Sequence, residues 1–578
     1  MSGSFSFVLH THLPWVLNHG KWPHGTDWLC EAAAECYIPL IAQLRSLHKR
    51  GIHARLSMDF SPVDLEQIAD PAFPQIFLDY CDEKISYAEK DYHHYTHIGD
   101  TALVPTTEFW REYYLDKKDR FIREFDGNIV RGFRELSDLG ILDAMTCGAT
   151  HGYFPLLLDD RNILAQLRVA IDTHTEHFGK KPRGVWLPEC GYRPAGMWSP
   201  PAGPAEIQRR PKQMRRGIEE LVVEAGLEYF VIDGHLLYGD SRGDASLTLE
   251  EKRDALLREG RKLPSLATIY EVESHDESMM QLPYDACVFA REAKTAMQVW
   301  SSDHGYPGGA AYLDFSKKHT SGLRYWRVTG KQVDIGDKLP YVRDDIEQQI
   351  ADDALDFVQL VRTQLAEHEG AHTSCGLITA PFDTELFGHW WFEGPRFLAK
   401  MMEAFASIDD VIVTNLAEAI DTPAITREKA TLAPGSWGFM GTDFVWMNPR
   451  VRWMWDFIYP LEQRWLKLLD YLKASFSGLT DREIPEALFM LVEQAAREVL
   501  LVEASDWPFL VTNYAAEDYA TLRLREHAEA LRFLLDTIDS YLNGEGLDEE
   551  ESAKLTEIAV IDRPFQEINL AHWGSAES

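Results

Sequence analysis

At 578 residues the chain is too long for one compact core, and it reads as two to four domains or as one large barrel with appendages. Hydrophobic residues at 45% and charged residues at 26% exclude a disordered chain. Lys and Arg number 57 against 92 Asp and Glu, and the formal net charge of −35 argues against nucleic acid or an anionic membrane as partner, since a polyanion is repelled by both.

The N-terminal stretch MSGSFSFVLHTHLP has no basic n-region and no small-residue cleavage site, so it reads as a mature strand and not as a signal peptide. From there short apolar runs alternate with helical stretches. Ser4–His10, Arg183–Pro188, Glu228–Asp233, Cys375–Ala380 and Val411–Thr414 are strand candidates, and Cys30–His48 has helical periodicity. This α/β alternation points to parallel units closing into a barrel over residues 1–425. Three excursions interrupt it: a wholly helical insertion at 97–145, a Pro-rich loop with a basic cluster at 196–216, and a long polar loop insertion at 235–285. Residues 426–578 change character. Glu462–Phe476, Asp481–Ala504 and Asp518–Asn543 are helical by period, and no strand pattern is visible, so a C-terminal all-α domain is expected. No apolar run approaches a membrane span. The seven cysteines are scattered without a CxxC pair, which fits reduced thiols in the cytoplasm.

Functional groups of a β/α barrel gather where strands end. Here the chemistry-bearing residues follow apolar runs: His10 and His12 after SFSFVL, His151 in GATHGYFP, Glu189 after GVWLP, and Asp383 and Glu385 after GLITAPF. Glu189 stands among apolar, Gly and Pro neighbours, and a carboxylate there is costly to bury without a task. Asp383 has a similar setting, and the pattern leaves open whether it or Glu385 points inward. Two carboxylates across a sugar pocket are the minimum for glycoside chemistry, and a separation of roughly 5–5.5 Å would imply a covalent glycosyl-enzyme. The 17 tryptophans fit carbohydrate handling, because indoles stack on sugar faces. Trp300, Trp437 and Trp446 are the stacking candidates, Trp437 most plainly because glycines flank it. The H-x-H pair, with His151 and Asp383, also admits a metal-dependent deacetylase-like hydrolase.

The motifs HTHLP, GATHGYFP, WLPECGY, APFDTELFGHWW and GSWG, in this order, resemble the five sequence regions of glycoside hydrolase family 57. The resemblance runs from residue 6 to about 515. GKWPHGTDWLCEAAAECYIPL, VFAREAKTAMQVWSSDHGYPG, GLRYWRVTG and SDWPFLVT are similar to segments of that family's 1,4-α-glucan branching enzymes. The resemblance implies a (β/α)7 barrel with a helical insertion and a helical C-terminal domain over the cleft. It implies Glu189 as nucleophile and Asp383 as general acid/base. His10, His12 and His151 would line the cleft, with His389 among the substrate contacts. Arg291, Gly308, Trp437 and Asp506 would contact substrate, and Trp22 and Trp300 would be aromatic cleft residues. The activity implied is retaining cleavage of an α-1,4 glucan and transfer to a 6-hydroxyl, with no metal and no cofactor. The chain would work as a monomer or weak homo-oligomer on glucan donors and acceptors. An α-amylase or 4-α-glucanotransferase on the same scaffold is the alternative. The family's mobile-loop tyrosine should fall within 235–285, where Tyr238 and Tyr270 are candidates. A glutamine expected after Asp506 is replaced by Ala515.

Overall fold

The computed structural model describes residues 3–574 apart from 239–256, 259, 261–262, 274–283, 302–303, 373–374, 477 and 481. Seven parallel strands form the centre: β1 (Gly3–Thr11), β2 (Leu56–Phe60), β3 (Leu142–Thr146), β4 (Gly184–Val185), β5 (Tyr229–Asp233), β6 (Cys287–Arg291) and β7 (Leu377–Asp383). They pair in chain order, and β6 and β7 each close the ring through Thr379 opposite Arg291, with β7 returning to β1. β1 is buried at every position, as a parallel strand covered on both faces must be. β4 is short, and at Gly184 a Cβ would sit 2.2 Å from the Tyr229 ring, so the tight seam between β4 and β5 needs glycine.

The helical excursion differs in extent from the expectation of 97–145. It is built from helices Phe73–Ile98 and Val104–Arg123, followed by Val130–Asp138, while Leu142–Thr146 is barrel strand. β2, β3 and β6 were not foreseen; Asp59 and Asp143 interrupt the apolar runs of β2 and β3. Beyond 425 the chain first adds strand Arg427–Ala430, which pairs parallel with Ile269–Val272 on the barrel's flank. The sheet therefore continues past the expected boundary. The helices after it are Trp455–Ser475, Glu486–Val502, Asp506–Thr512, Glu517–Leu542 and Glu549–Ile561.

This helical region is tied to the barrel by polar contacts at several heights. Arg563 bridges Asp70 with two bonds of 2.8 and 3.0 Å, and His19 lies 2.6 Å from Asp562. Nearest the cleft, Ser505 N–H donates to the His151 carbonyl (3.1 Å), and Gln166 and Asn162 donate to the buried Glu503. Of the basic cluster in 196–216, Arg215 is structural, buried against Asp160 and the carbonyls of Leu157 and Leu158, whereas Arg209 and Lys212 are exposed. Among the described residues no helix is long and apolar enough to cross a membrane.

Candidate active site

All seven strands deliver a polar group at the same end of the barrel. They are His10 and His12 from β1, Asp59 and Ser61 from β2, His151 beyond β3, Glu189 beyond β4, Asp233 from β5, Arg291 from β6 and Asp383 from β7. The C-terminal ends of barrel strands carry side chains outward from a packed core, which leaves room for chemistry there. The helical region adds Ser505 and Asp506.

Glu189 lies in a turn after β4 and has φ +60°, with Cys190 at φ +50° and His151 at φ +61°. Non-glycine residues hold this left-handed backbone at a cost of about 1 kcal/mol or more each. Three such residues around one pocket show that the surrounding contacts force the geometry. The carboxylate accepts the indole N–H of Trp437 at 2.7 Å and the Ser505 hydroxyl at 3.5 Å. Trp437 is itself anchored, since its backbone N–H donates to the Glu189 carbonyl (3.1 Å) and Tyr192 and Gly435 exchange two backbone bonds. Burial pushes the Glu189 carboxyl up to about 8; the indole bond draws it down, while Asp383 and Asp506 push it further up.

Asp383 stands opposite His10 in the β7–β1 register. Burial raises its carboxyl as well, and the Arg291 guanidinium opposes that rise. Among the described residues no donor is bonded to the Asp383 side chain. Glu385, the alternative, is turned away: it accepts from Tyr37 at 2.8 Å, and burial with the neighbouring Asp64 raises its carboxyl strongly. The pair is thus differentiated, with directed donors on Glu189 and none on Asp383.

The three histidines form one network. His10 Nδ1 is 2.9 Å from Asp59, and its Nε2 is 3.0 Å from His151 Nε2; His151 Nδ1 is 2.7 Å from Ser505 Oγ. His12 Nδ1 meets Ser61 at 2.8 Å and its Nε2 meets Asp506 at 3.0 Å. Burial lowers His10 to about 3 and lowers His151 strongly, so both rings are neutral. Burial lowers His12 too, but Asp506 outweighs it and the net shift is upward. His12, His151 and Asp506 bring ligand-type atoms within 4.8 Å of one another, as do His10, Cys147 and His151. All six ring nitrogens are already hydrogen-bonded, so an ion would have to displace those bonds, and a sugar hydroxyl meets the same obstacle at His10 and His151.

The remaining predicted residues divide. Arg291 donates to Asp233 and lies 5.8 Å from the Trp437 ring. Trp300 is half-buried, edge-on to Trp390, and Gly308 sits in a partly open turn. Trp22 is 80% exposed on the loop after β1. His389 is buried facing Glu31 at 3.2 Å. Trp446 corrects the expectation: it is fully buried and stacked on Tyr153 at 4.3 Å, so it offers no face to a sugar. Tyr270 is also no loop residue; it is buried in strand Ile269–Val272 with its hydroxyl on the Ser265 carbonyl. Tyr238 ends a turn at 234–238, and most of the loop that follows lies outside the described residues. Asp59, Asp233 and Ser505 were missed, as was Trp186, which stacks on the His10 ring at 4.8 Å. Asp59 sits between Met58 and Phe60, an isolated acid in an apolar run like Glu189, and that was the available signal.

The model of glycosyl hydrolase family 57 matches residues 6–431, which span every strand of the barrel. The chain belongs to this family. A second model, the C-terminal domain of 1,4-alpha-glucan branching enzymes, matches residues 477–573, the segment that supplies Ser505 and Asp506. The chain is 35% identical over 569 residues to the 1,4-alpha-glucan branching enzyme TK1436 of Thermococcus kodakarensis, covering 98% of this chain and 78% of that one. Its fold is similar to the family-57 branching enzyme from Pyrococcus horikoshii, with a TM-score of 0.85 at 35% identity over 100% of this chain and 97% of the other. The α-amylase AmyC from Thermotoga maritima is also similar, with a TM-score of 0.78 at 26% identity over 99% of each chain.

Proposed function

We propose that the chain is a 1,4-α-glucan branching enzyme working by retaining double displacement. Glu189 attacks the anomeric carbon of an α-1,4 glucan while Asp383 protonates the departing glycosidic oxygen. The 6-hydroxyl of a second chain, giving its proton to Asp383, then opens the glycosyl-enzyme and leaves an α-1,6 branch. The observation that carries this reading is the junction at the cleft. The segment matched by the branching-enzyme C-terminal model places Ser505 on Glu189 and Asp506 on His12, so that region belongs to the pocket itself. The two carboxyls have distinct settings, as nucleophile and acid require. Arg291, Trp437 and Asp506 are proposed to contact the glucan, with Trp22, Trp300 and Gly308 extending the cleft. The product is a glycogen-type polymer made in the cytoplasm by a monomer or weak homo-oligomer, without metal or cofactor.

The test is amylose as substrate, with reducing ends counted before and after a debranching enzyme specific for α-1,6 links. Few ends before and many after are expected. Many ends before and no increase after would replace this reading with hydrolysis, the second reading that the likeness to AmyC favours. Glu189→Gln is expected to abolish turnover, and retained turnover would remove Glu189 as nucleophile.

A further inference from the structure

Beyond the groups that would touch substrate, a continuous chain of hydrogen bonds runs from β2 to Glu189. Its links are Asp59 to His10 Nδ1 (2.9 Å), His10 Nε2 to His151 Nε2 (3.0 Å), His151 Nδ1 to Ser505 Oγ (2.7 Å) and Ser505 Oγ to Glu189 Oε1 (3.5 Å). Every member is buried. Each imidazole here bonds through both nitrogens, and a neutral imidazole donates from one and accepts at the other. The orientation of one link therefore sets all the others.

We propose that Asp59, His10, His151 and Ser505 form a proton relay that holds the Glu189 proton on Asp59, leaving Glu189 as the carboxylate. In one orientation the Asp59 hydroxyl donates to His10 Nδ1, His10 Nε2–H to His151 Nε2, His151 Nδ1–H to Ser505, and the Ser505 hydroxyl to Glu189. In the other, Glu189 carries the proton, every donor is reversed, and Asp59 is the carboxylate. Converting the second state to the first moves one proton across each link: Glu189 to Ser505, Ser505 to His151, His151 to His10 and His10 to Asp59. One carboxyl is ionised before and after, so the buried charge is conserved and no outside base is needed.

The two ends differ in a way that favours the first state. Glu189 has a second donor, the Trp437 indole at 2.7 Å, which suits a carboxylate. Both ends are buried and both carboxyls are raised, Glu189 to about 8 and Asp59 well above its ordinary value, although the backbone N–H groups of Thr11 and of Asp59 itself draw Asp59 partly back down. The groups facing Glu189 are His151, Asp383, Asp506 and His12. Those facing Asp59 are His10, His12, Cys147 and Asp383. The chain crosses from the barrel into the helical region and back, so the nucleophile's charge depends on docking of Ser505. These four are positioning residues, acting through Glu189.

The relay rests on Glu189 being the nucleophile, and its test has one arm that needs no turnover. In protein labelled with carboxyl-13C aspartate, infrared spectra at neutral pH should show a protonated carboxylic-acid band that Asp59→Asn removes. An unchanged band would overturn the relay whatever the nucleophile is. In the second arm, Ser505→Ala should move the acid limb of the kcat/KM profile up by about one pH unit, a roughly tenfold loss below that limb, because the carboxylate loses a donor. Ser505→Thr should restore the limb. A loss uniform across pH, or an unmoved limb, would overturn the proposal and leave Ser505 with a packing role. If Asp59→Asn does not fold, the serine pair still decides. Turnover retained in Glu189→Gln would defeat the nucleophile assignment and leave the infrared result standing.

Discussion

Two donors, the Trp437 indole and the Ser505 hydroxyl, set Glu189 apart from Asp383, as the proposed roles of nucleophile and acid require. The Trp437 indole hydrogen lies at 2.7 Å, and Trp437→Phe deletes it while keeping an edge-to-face ring contact with Trp186. A hydrogen bond to a charged acceptor contributes about 1.5–3 kcal/mol. The variant should therefore lose roughly tenfold to a hundredfold in kcat/KM, and its acid limb should move to higher pH. A steady-state pH profile reads both. Glu189 was legible in sequence because an acid in WLPECGY has no basic neighbour to explain it. Asp383 and Glu385 could not be separated by that argument, since both are carboxylates after the same apolar run. Register separated them: Asp383 ends β7 beside His10, whereas Glu385 lies past the strand under Tyr37.

Helix Trp455–Ser475 and the end of helix Glu486–Val502 meet the barrel through two buried acids, Glu462 and Glu503, that share the amide of Asn162 at 2.9 and 2.5 Å. Burial, then their mutual repulsion, raises Glu462 strongly; burial lifts Glu503 from 4.5 to about 7. A carboxyl raised on folding contributes stability that is present below its unfolded value and lost as pH rises through its folded one. Stability from this contact should therefore fall between about pH 4.5 and 7 as pH increases. Glu462→Gln keeps the accepting oxygen and points an amide N–H at Glu503. Its urea midpoint should match the parent at pH 4 and exceed it at pH 8 by an amount equivalent to about 2–3 kcal/mol. Equal midpoints at pH 8 would remove the pair from the stability balance. The helices themselves were readable from period. Their docking was not, because it rests on acids that look like ordinary surface charges in a chain with net charge −35.

Across the whole molecule, residues distant in sequence are pinned to the barrel by buried charge. Arg324 donates to the Glu35 carboxylate and, at 2.8 Å, to the His389 carbonyl, between the rings of Trp110 and Phe392. It joins the segment after the Gly308 turn to helical insertion, N-terminal helix and the β7 loop. Breaking a buried pair leaves an uncompensated charge and costs about 3–5 kcal/mol. Arg324→Leu should lower the denaturation midpoint by that amount, while Arg324→Leu combined with Glu35→Gln should recover part of it. A double variant no better than the single would place the loss in packing. At Gly388, φ +137°, a Cβ would stand 2.0 Å from the Glu35 carbonyl oxygen, so the β7 loop closes on this helix only with glycine there.

The sequence by itself determined the barrel class and the helical C-terminal region, and it pointed to Glu189, the histidines and the Asp383–Glu385 pair, because alternation period and isolated polar residues in apolar runs are local properties. It also carried the family, through five short motifs in order. Tertiary structure decided what those residues do to one another. Trp446 joined the core and Trp437 became a donor, though both are tryptophans in similar loops, because only Trp437 is anchored to the Glu189 backbone. Asp59 and Ser505 joined the site from strands and helices separated by hundreds of residues. Hydrogen-bond direction and burial are set by what the folded chain brings within 3 Å or so, and no local pattern encodes that distance.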